Sequence, residues 1–187
     1  LNSSKSGAIL IDTSTSSVEL AVEILKASRA KSVNYLEAPI TNAVDGARLG
    51  TLAFFIAGDK KTYEESLPIF KTLGSDLFYV GEAGNGATTK LITNLLWFIN
   101  AAAIGEGLMI GAKAKIPLET VWAALKSSAG NSWVVEHDIP SIFAGHYDPS
   151  FSLGLCCKDL TLVTEISKNQ GFDLKMGEMA LKLFTQA

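Results

Sequence analysis

The densest run of chemically capable residues is GEAGNGATTKLITN, Gly81 to Asn94, in which glycines at 81, 84 and 86 precede a helical pattern carrying Lys90 and Asn94. Residues four apart project from one face of a helix, so the ammonium of Lys90 and the amide of Asn94 can converge on one small ligand. The same spacing also suits a flexible turn followed by a solvent-facing lysine. A second run, EAPITNAVDGARLGTLAFFIAGD over 37–59, puts Pro39, Thr41 and Asn42 in a turn after a strand. Backbone amides and a hydroxyl there can bind a carboxylate, although alone the run reads equally well as an ordinary turn.

The elements that must position these residues follow from hydrophobic periodicity. Short apolar runs at 8–12, 33–38, 51–58 and 77–81 predict strands, and the amphipathic segments 17–30 and 60–73 predict helices between them. Asp12, Ser14 and Thr15 can cap the first helix, while Gly58-Asp59 closes the third strand before a helix that Thr62 can initiate. From residue 84 no further strand-like run is expected. Helices are predicted at 86–114, 118–128, 131–138, 157–170 and 174–186, punctuated by Pro117, Gly130, Pro140, Pro149 and Gly171. The expected fold class is therefore α/β followed by all-α: a partial Rossmann-like sheet edge over 1–83, then a helical domain over 84–187 joined by a long connecting helix. That helix, roughly 43 Å at 1.5 Å per residue, is apolar around most of its circumference and needs cover on several sides.

Composition excludes several function classes. The chain has 187 residues with 16 Lys+Arg against 19 Asp+Glu, and this slightly acidic balance argues against neutralising nucleic-acid phosphates over a broad surface. The apolar stretch 95–114 is nearly of membrane length, but Asn100, Glu106 and Lys113 within it favour a buried core helix. Cys156 and Cys157 are adjacent, unsuited to an unstrained disulfide, and read as buried thiols of a reducing, cytoplasmic compartment. His137 and His146 have no third ligand nearby, so no metal site is expected. Trp97, Trp122 and Trp133 are expected to pack the helical core, and Glu106 needs a partner if buried. No glycine-rich loop follows the first strand, so the N-terminal half looks like the far end of a sheet whose beginning is missing.

Four segments in order resemble the β-hydroxyacid dehydrogenases, the group of 3-hydroxyisobutyrate dehydrogenase and tartronate semialdehyde reductase. IDTSTSS is similar to that family's D-x-S-T segment, and EAPITNAVDGARLGTL to its D-A-P-V-S-G-G segment with the following A-x-x-G-x-L. GEAGNGATTKLITN is similar to its G-x-x-G-x-G-x-x-x-K-x-x-x-N segment, and FSLGLCCKDL to its F-x-x-x-x-x-x-K-D-L segment. The resemblance implies Lys90 as catalytic general acid/base, with Asn94, Thr41, Asn42 and Ala43 binding a small carboxylate substrate. It further implies Ser14, Thr15 and Lys158 beside the cofactor, NAD or NADP, with Asp159 a structural partner. Lys158-Asp159 also reads as a surface ion pair of little consequence. Where the family has S-G-G, this chain has Thr41-Asn42-Ala43, which bears on substrate preference. The implied function of the intact protein is oxidation of small 3-hydroxy acids or reduction of their semialdehydes by a homodimer or higher homo-oligomer, and the chain as given, a fragment without the cofactor loop, is expected to be inactive on its own. The alternative is a non-catalytic helical dimerisation or binding module; imine reduction fits less well, because imine-reducing relatives generally lack a lysine at position 90.

Overall fold

The computed structural model describes residue 1, residues 3–146 and residues 151–187; Pro149 lies outside the described residues. In chain order the elements are β1 (Ile9–Asp12), α1 (Val18–Ala30), β2 (Asn34–Glu37), β3 (Ile40–Thr41), α2 (Ala43–Leu49), β4 (Leu52–Gly58), α3 (Lys60–Leu73), β5 (Gly74–Gly81), α4 (Asn85–Lys113), α5 (Leu118–Lys126), a π-helical turn (Val134–Asp138), α6 (Ile139–Phe143), α7 (Leu153–Asn169) and α8 (Lys175–Gln186). Among the described residues no strand follows β5, as the change of periodicity at Gly84 predicts. The chain forms two compact units, Leu1–Thr93 with Glu165–Phe172, and Asn94–Thr164 with Asp173–Ala187.

The first unit is built on one five-stranded mixed sheet. β1 and β2 run parallel, with Asp12 opposite Glu37. β4 runs antiparallel to both β2 and β3, pairing Ala57 with Glu37 and Ala53 with Thr41, and β5 lies parallel to β4. Leu36, Phe54, Ile56 and Phe70 fill the core between sheet and α3, Phe54 meeting Phe70 edge-on at 5.2 Å. Side chains that reach this core from alternate positions leave Tyr35 and Glu37 on the other face of β2.

Several local expectations are corrected. β3 and α2 are too short to produce a periodic signal. β5 starts at Gly74 rather than 77, because polar Ser75 and Asp76 mask its pairing with β4; a Cβ at Gly74 would run into the Leu52 carbonyl. Ser17, not Asp12, Ser14 or Thr15, caps α1, its hydroxyl accepting from the Leu20 amide at 3.1 Å. Asp59 caps α3 as its position suggests, accepting from both the amide and hydroxyl of Thr62 at 2.8 Å. Pro140 does not end a helix but falls in the first turn of α6, where its missing N–H costs nothing.

In the second unit Phe98, Cys156, Leu160 and Ala180 form the buried cluster, flanked by Trp97, Phe151 and Phe184. Trp97 donates to Asp138 Oδ2 at 2.8 Å and Trp122 to the Val135 carbonyl at 2.8 Å, so both indoles pack with their polar edge satisfied. Trp133 departs from expectation: it is exposed and stacks on His137 at 3.6 Å. Glu106 is exposed too and needs no buried partner. Cover along α4 is likewise less than expected, since Leu96, Met109 and Ile110 are exposed. By length and composition α4 could cross a membrane, yet its N-terminal half carries a buried lysine and a buried asparagine.

Asn42 and Ala43, where the resembled family has glycines, both take positive φ, 77° and 48°. Asparagine tolerates this region, whereas alanine crowds its own carbonyl. Ala43→Gly should therefore raise stability by up to about 1 kcal/mol, the relief outweighing the added chain entropy, read as a higher urea midpoint. Cys156 is buried beside an only half-buried Cys157, and burial, then the charge of Cys157 and Asp159, pushes the Cys156 thiol up to about 11. In native protein at pH 8, iodoacetamide should label Cys157 alone, with Cys156 reacting only after denaturation, as peptide mass spectrometry would report.

Candidate active site

The start of α4 is held by a carboxylate from β2. Glu37, 1% exposed, accepts the Gly84 and Gly86 amides on Oε2 at 2.8 and 3.2 Å and the Ala87 amide on Oε1 at 2.7 Å. A helix leaves its first four N–H groups without intrahelical partners and is electropositive at that end, so an acceptor-only carboxylate answers both demands. Burial pushes the Glu37 carboxyl above the ordinary carboxylate range, against the three amides, which pull it down. Gly84 takes φ +98°, and a Cβ on Gly86 would meet Glu37 Cδ at 2.9 Å and the Phe55 carbonyl at 2.9 Å. Gly86 is thus required by the approach of the carboxylate, and Gly84 by its left-handed backbone and by Val18, 3.0 Å from where its Cβ would stand. Sequence reasoning placed these glycines in a turn but missed Glu37. A lone acidic residue at the end of a strand gives no signal that its partners lie 47 to 50 residues away.

From this anchor α4 presents Gly86, Lys90 and Asn94 on one face at intervals of four. Lys90 is 7% exposed and Asn94 3%, which removes the solvent-facing reading of the lysine. Asn94 donates Nδ2 to Asp159 Oδ2 at 2.7 Å, and Lys158 Nζ lies 2.9 Å from Asp159 Oδ1. Asp159 is 1% exposed, so this is no pairing of two solvated charges: a buried carboxylate links the asparagine of α4 to a partly exposed lysine of α7. The structure therefore brings Asn94 and Lys158 together through Asp159.

The remaining candidates stand on other elements. Thr41 ends β3 and is half-buried, and Asn42 ties its side chain to the Thr51 carbonyl at 2.9 Å, leaving backbone rather than amide to meet a ligand. Ser14 and Thr15 follow the carboxyl end of β1, the end at which α/β sheets bind ligands. Ser14 donates its hydroxyl to Asp12 Oδ1 at 2.6 Å. Hydroxyls at Ser14 and Thr15 are donor types that ribose and phosphate groups take. The β1–α1 connection, TSTSS, lacks the glycines that let a backbone approach a pyrophosphate.

The chain is similar to known proteins along nearly its whole length. Residues 84–187 match the family model described as NAD-binding of NADP-dependent 3-hydroxyisobutyrate dehydrogenase, and residues 1–81 that of the NAD binding domain of 6-phosphogluconate dehydrogenase. The chain is 30% identical to 2-(hydroxymethyl)glutarate dehydrogenase of Eubacterium barkeri over 98% of its own length and 62% of that protein's. A solved 3-hydroxyisobutyrate dehydrogenase from Salmonella typhimurium superposes with a TM-score of 0.90 at 30% identity, over 97% of this chain and 64% of that one. The Mycobacterium tuberculosis 3-hydroxyisobutyrate dehydrogenase, solved with L-serine, gives 0.90 at 26% identity, over 98% and 65%. The chain thus spans less than two thirds of the length of these relatives. Imine reductases share the fold alone, at 16–17% identity. With a sheet edge leading into a long helix, and family models of NAD-binding domains matched along both parts, the chain belongs to the β-hydroxyacid dehydrogenase family, whose cofactor is NAD(P).

Proposed function

We propose that the protein oxidises small 3-hydroxy acids, or reduces the corresponding semialdehydes, with Lys90 as general acid/base. The observation that carries this reading is the buried pair one helical turn apart on α4, Lys90 and Asn94, in a chain of this family. NAD(P), when bound, supplies the acceptor or donor of the hydride. In the oxidative direction the neutral Nζ of Lys90 takes the proton of the substrate hydroxyl as the hydride leaves the same carbon. In the reverse direction the ammonium returns that proton to the carbonyl oxygen and stabilises the charge developing there. Asn94, its Nδ2 held by Asp159, turns Oδ1 towards the substrate hydroxyl. Thr41, through its hydroxyl, and the backbone of Asn42 and Ala43 hold the substrate carboxylate. Lys158, Thr15 and Ser14 are assigned to the cofactor.

The division into a nucleotide-binding part, 1–83, and a helical substrate and dimerisation domain, 84–187, is supported by the limits of the two family matches, 1–81 and 84–187. Exposed Leu96, Met109 and Ile110 on α4 and Met176 and Met179 on α8 support a homodimer. Two free thiols support a reducing, cytoplasmic location.

Lys90→Ala in the full-length protein should lower kcat by roughly 10²- to 10⁴-fold with cofactor affinity nearly unchanged, whereas Asn94→Ala and Thr41→Ala should act largely through KM. Steady-state kinetics with 3-hydroxyisobutyrate and related hydroxy acids read this directly. Undiminished turnover by Lys90→Ala would return the non-catalytic binding module to the front. Light scattering of the 19.9 kDa chain should report a mass of at least two copies, and a monomer at high concentration would count against the dimer.

A further inference from the structure

We infer that Glu37 is a positioning residue for proton transfer, fixing Lys90 through the first turn of α4; this rests on the reading of Lys90 as the general acid/base. Three amides from that turn converge on one buried carboxylate, and Gly86, where a Cβ would stand 2.9 Å from Glu37 Cδ, lies four positions before Lys90 on the same helix face. Helical side chains lean towards the amino end of their helix and cover the preceding turn. By this rule the Lys90 side chain leans back towards the turn that Glu37 clamps, where Glu37 and the Phe55 carbonyl fill the space that a side chain at Gly86 would take. A carboxylate binding both oxygens to separate amides fixes the rotation of α4 about its axis as well as its starting point. Any slip at this point is carried straight to Nζ. Because catalytic proton transfer requires placement to a fraction of an ångström, the clamp acts on turnover rather than on substrate affinity.

The test is a kinetic double-mutant cycle in the full-length enzyme with its cofactor and a hydroxy acid that it turns over. Glutamine replaces one acceptor oxygen by a donor facing an N–H, so Glu37→Gln should lower kcat by about 10- to 100-fold while the substrate KM changes less than about threefold. Glu37→Asp should recover most of the loss, which a side chain acting only as core filler would not do. On the Lys90→Ala background Glu37→Gln should cost nothing further, because the group it positions is gone. Gly86→Ala, which pushes against Glu37 Cδ from the helix side, should reproduce the kcat loss and carries the test if Glu37→Gln does not fold. Wild-type kcat in the glutamine variant, or an equal loss with and without Lys90, would overturn the inference and leave the role of Lys90 standing. Full activity of Lys90→Ala alone would instead overturn the reading on which it rests.

Discussion

The contact on which the rest of the site depends is the capture of the α4 amino terminus by the Glu37 carboxylate. Without it, the three N–H groups of Gly84, Gly86 and Ala87 would be buried without acceptors, each at a cost of about 1–3 kcal/mol. The arrangement is not an optimum of stability. Burial raises the Glu37 carboxyl above its ordinary range, which means the folded protein holds the proton more tightly than the unfolded chain does. By linkage its contribution to stability is present below that ordinary range and is lost as pH rises through the raised value. A neutral apolar residue would avoid the desolvation of the carboxylate but would leave all three amides without acceptors. The carboxylate is better understood as a device that fixes geometry, and the geometry it fixes includes the helix turn that carries Lys90.

A second carboxylate of the same kind organises the other end of the candidate constellation. Asp159 is almost inaccessible and receives Asn94 on one oxygen and Lys158 on the other, so the amide is oriented before any ligand arrives. Preorganised dipoles of this sort cost no reorganisation at the moment of reaction. The Thr41–Ala43 segment shows the opposite compromise. Its backbone keeps the left-handed conformation suited to glycine although the side chains have changed, so the turn is retained at the expense of local strain.

Much of this was legible in the sequence because it depends on local pattern. The four main strands, the limits of α4 within a residue at each end, and the lysine and asparagine on one helix face all follow from apolar spacing and glycine placement. What stayed hidden was set by distant partners. Nothing adjacent to Glu37 announces that it meets amides some 50 residues on, and nothing near Asn94 points to Asp159, 65 residues away. β3 has two residues and α2 seven, too few for a period to show. Trp133 fails differently: an apolar residue type was read as core, but a flat ring can also stack on a surface imidazole.

The account turns on whether the Lys90 amine itself moves the substrate proton, and the most direct measurement is chemical rescue of Lys90→Ala in the full-length enzyme by small primary amines. The cavity left by the missing side chain should admit methylamine, restoring part of the lost turnover, with rates across a series of amines that rise with amine basicity. A folded Lys90→Ala protein that turns over at the wild-type rate without amine, or whose deficit is relieved equally by amines of every basicity, would contradict it.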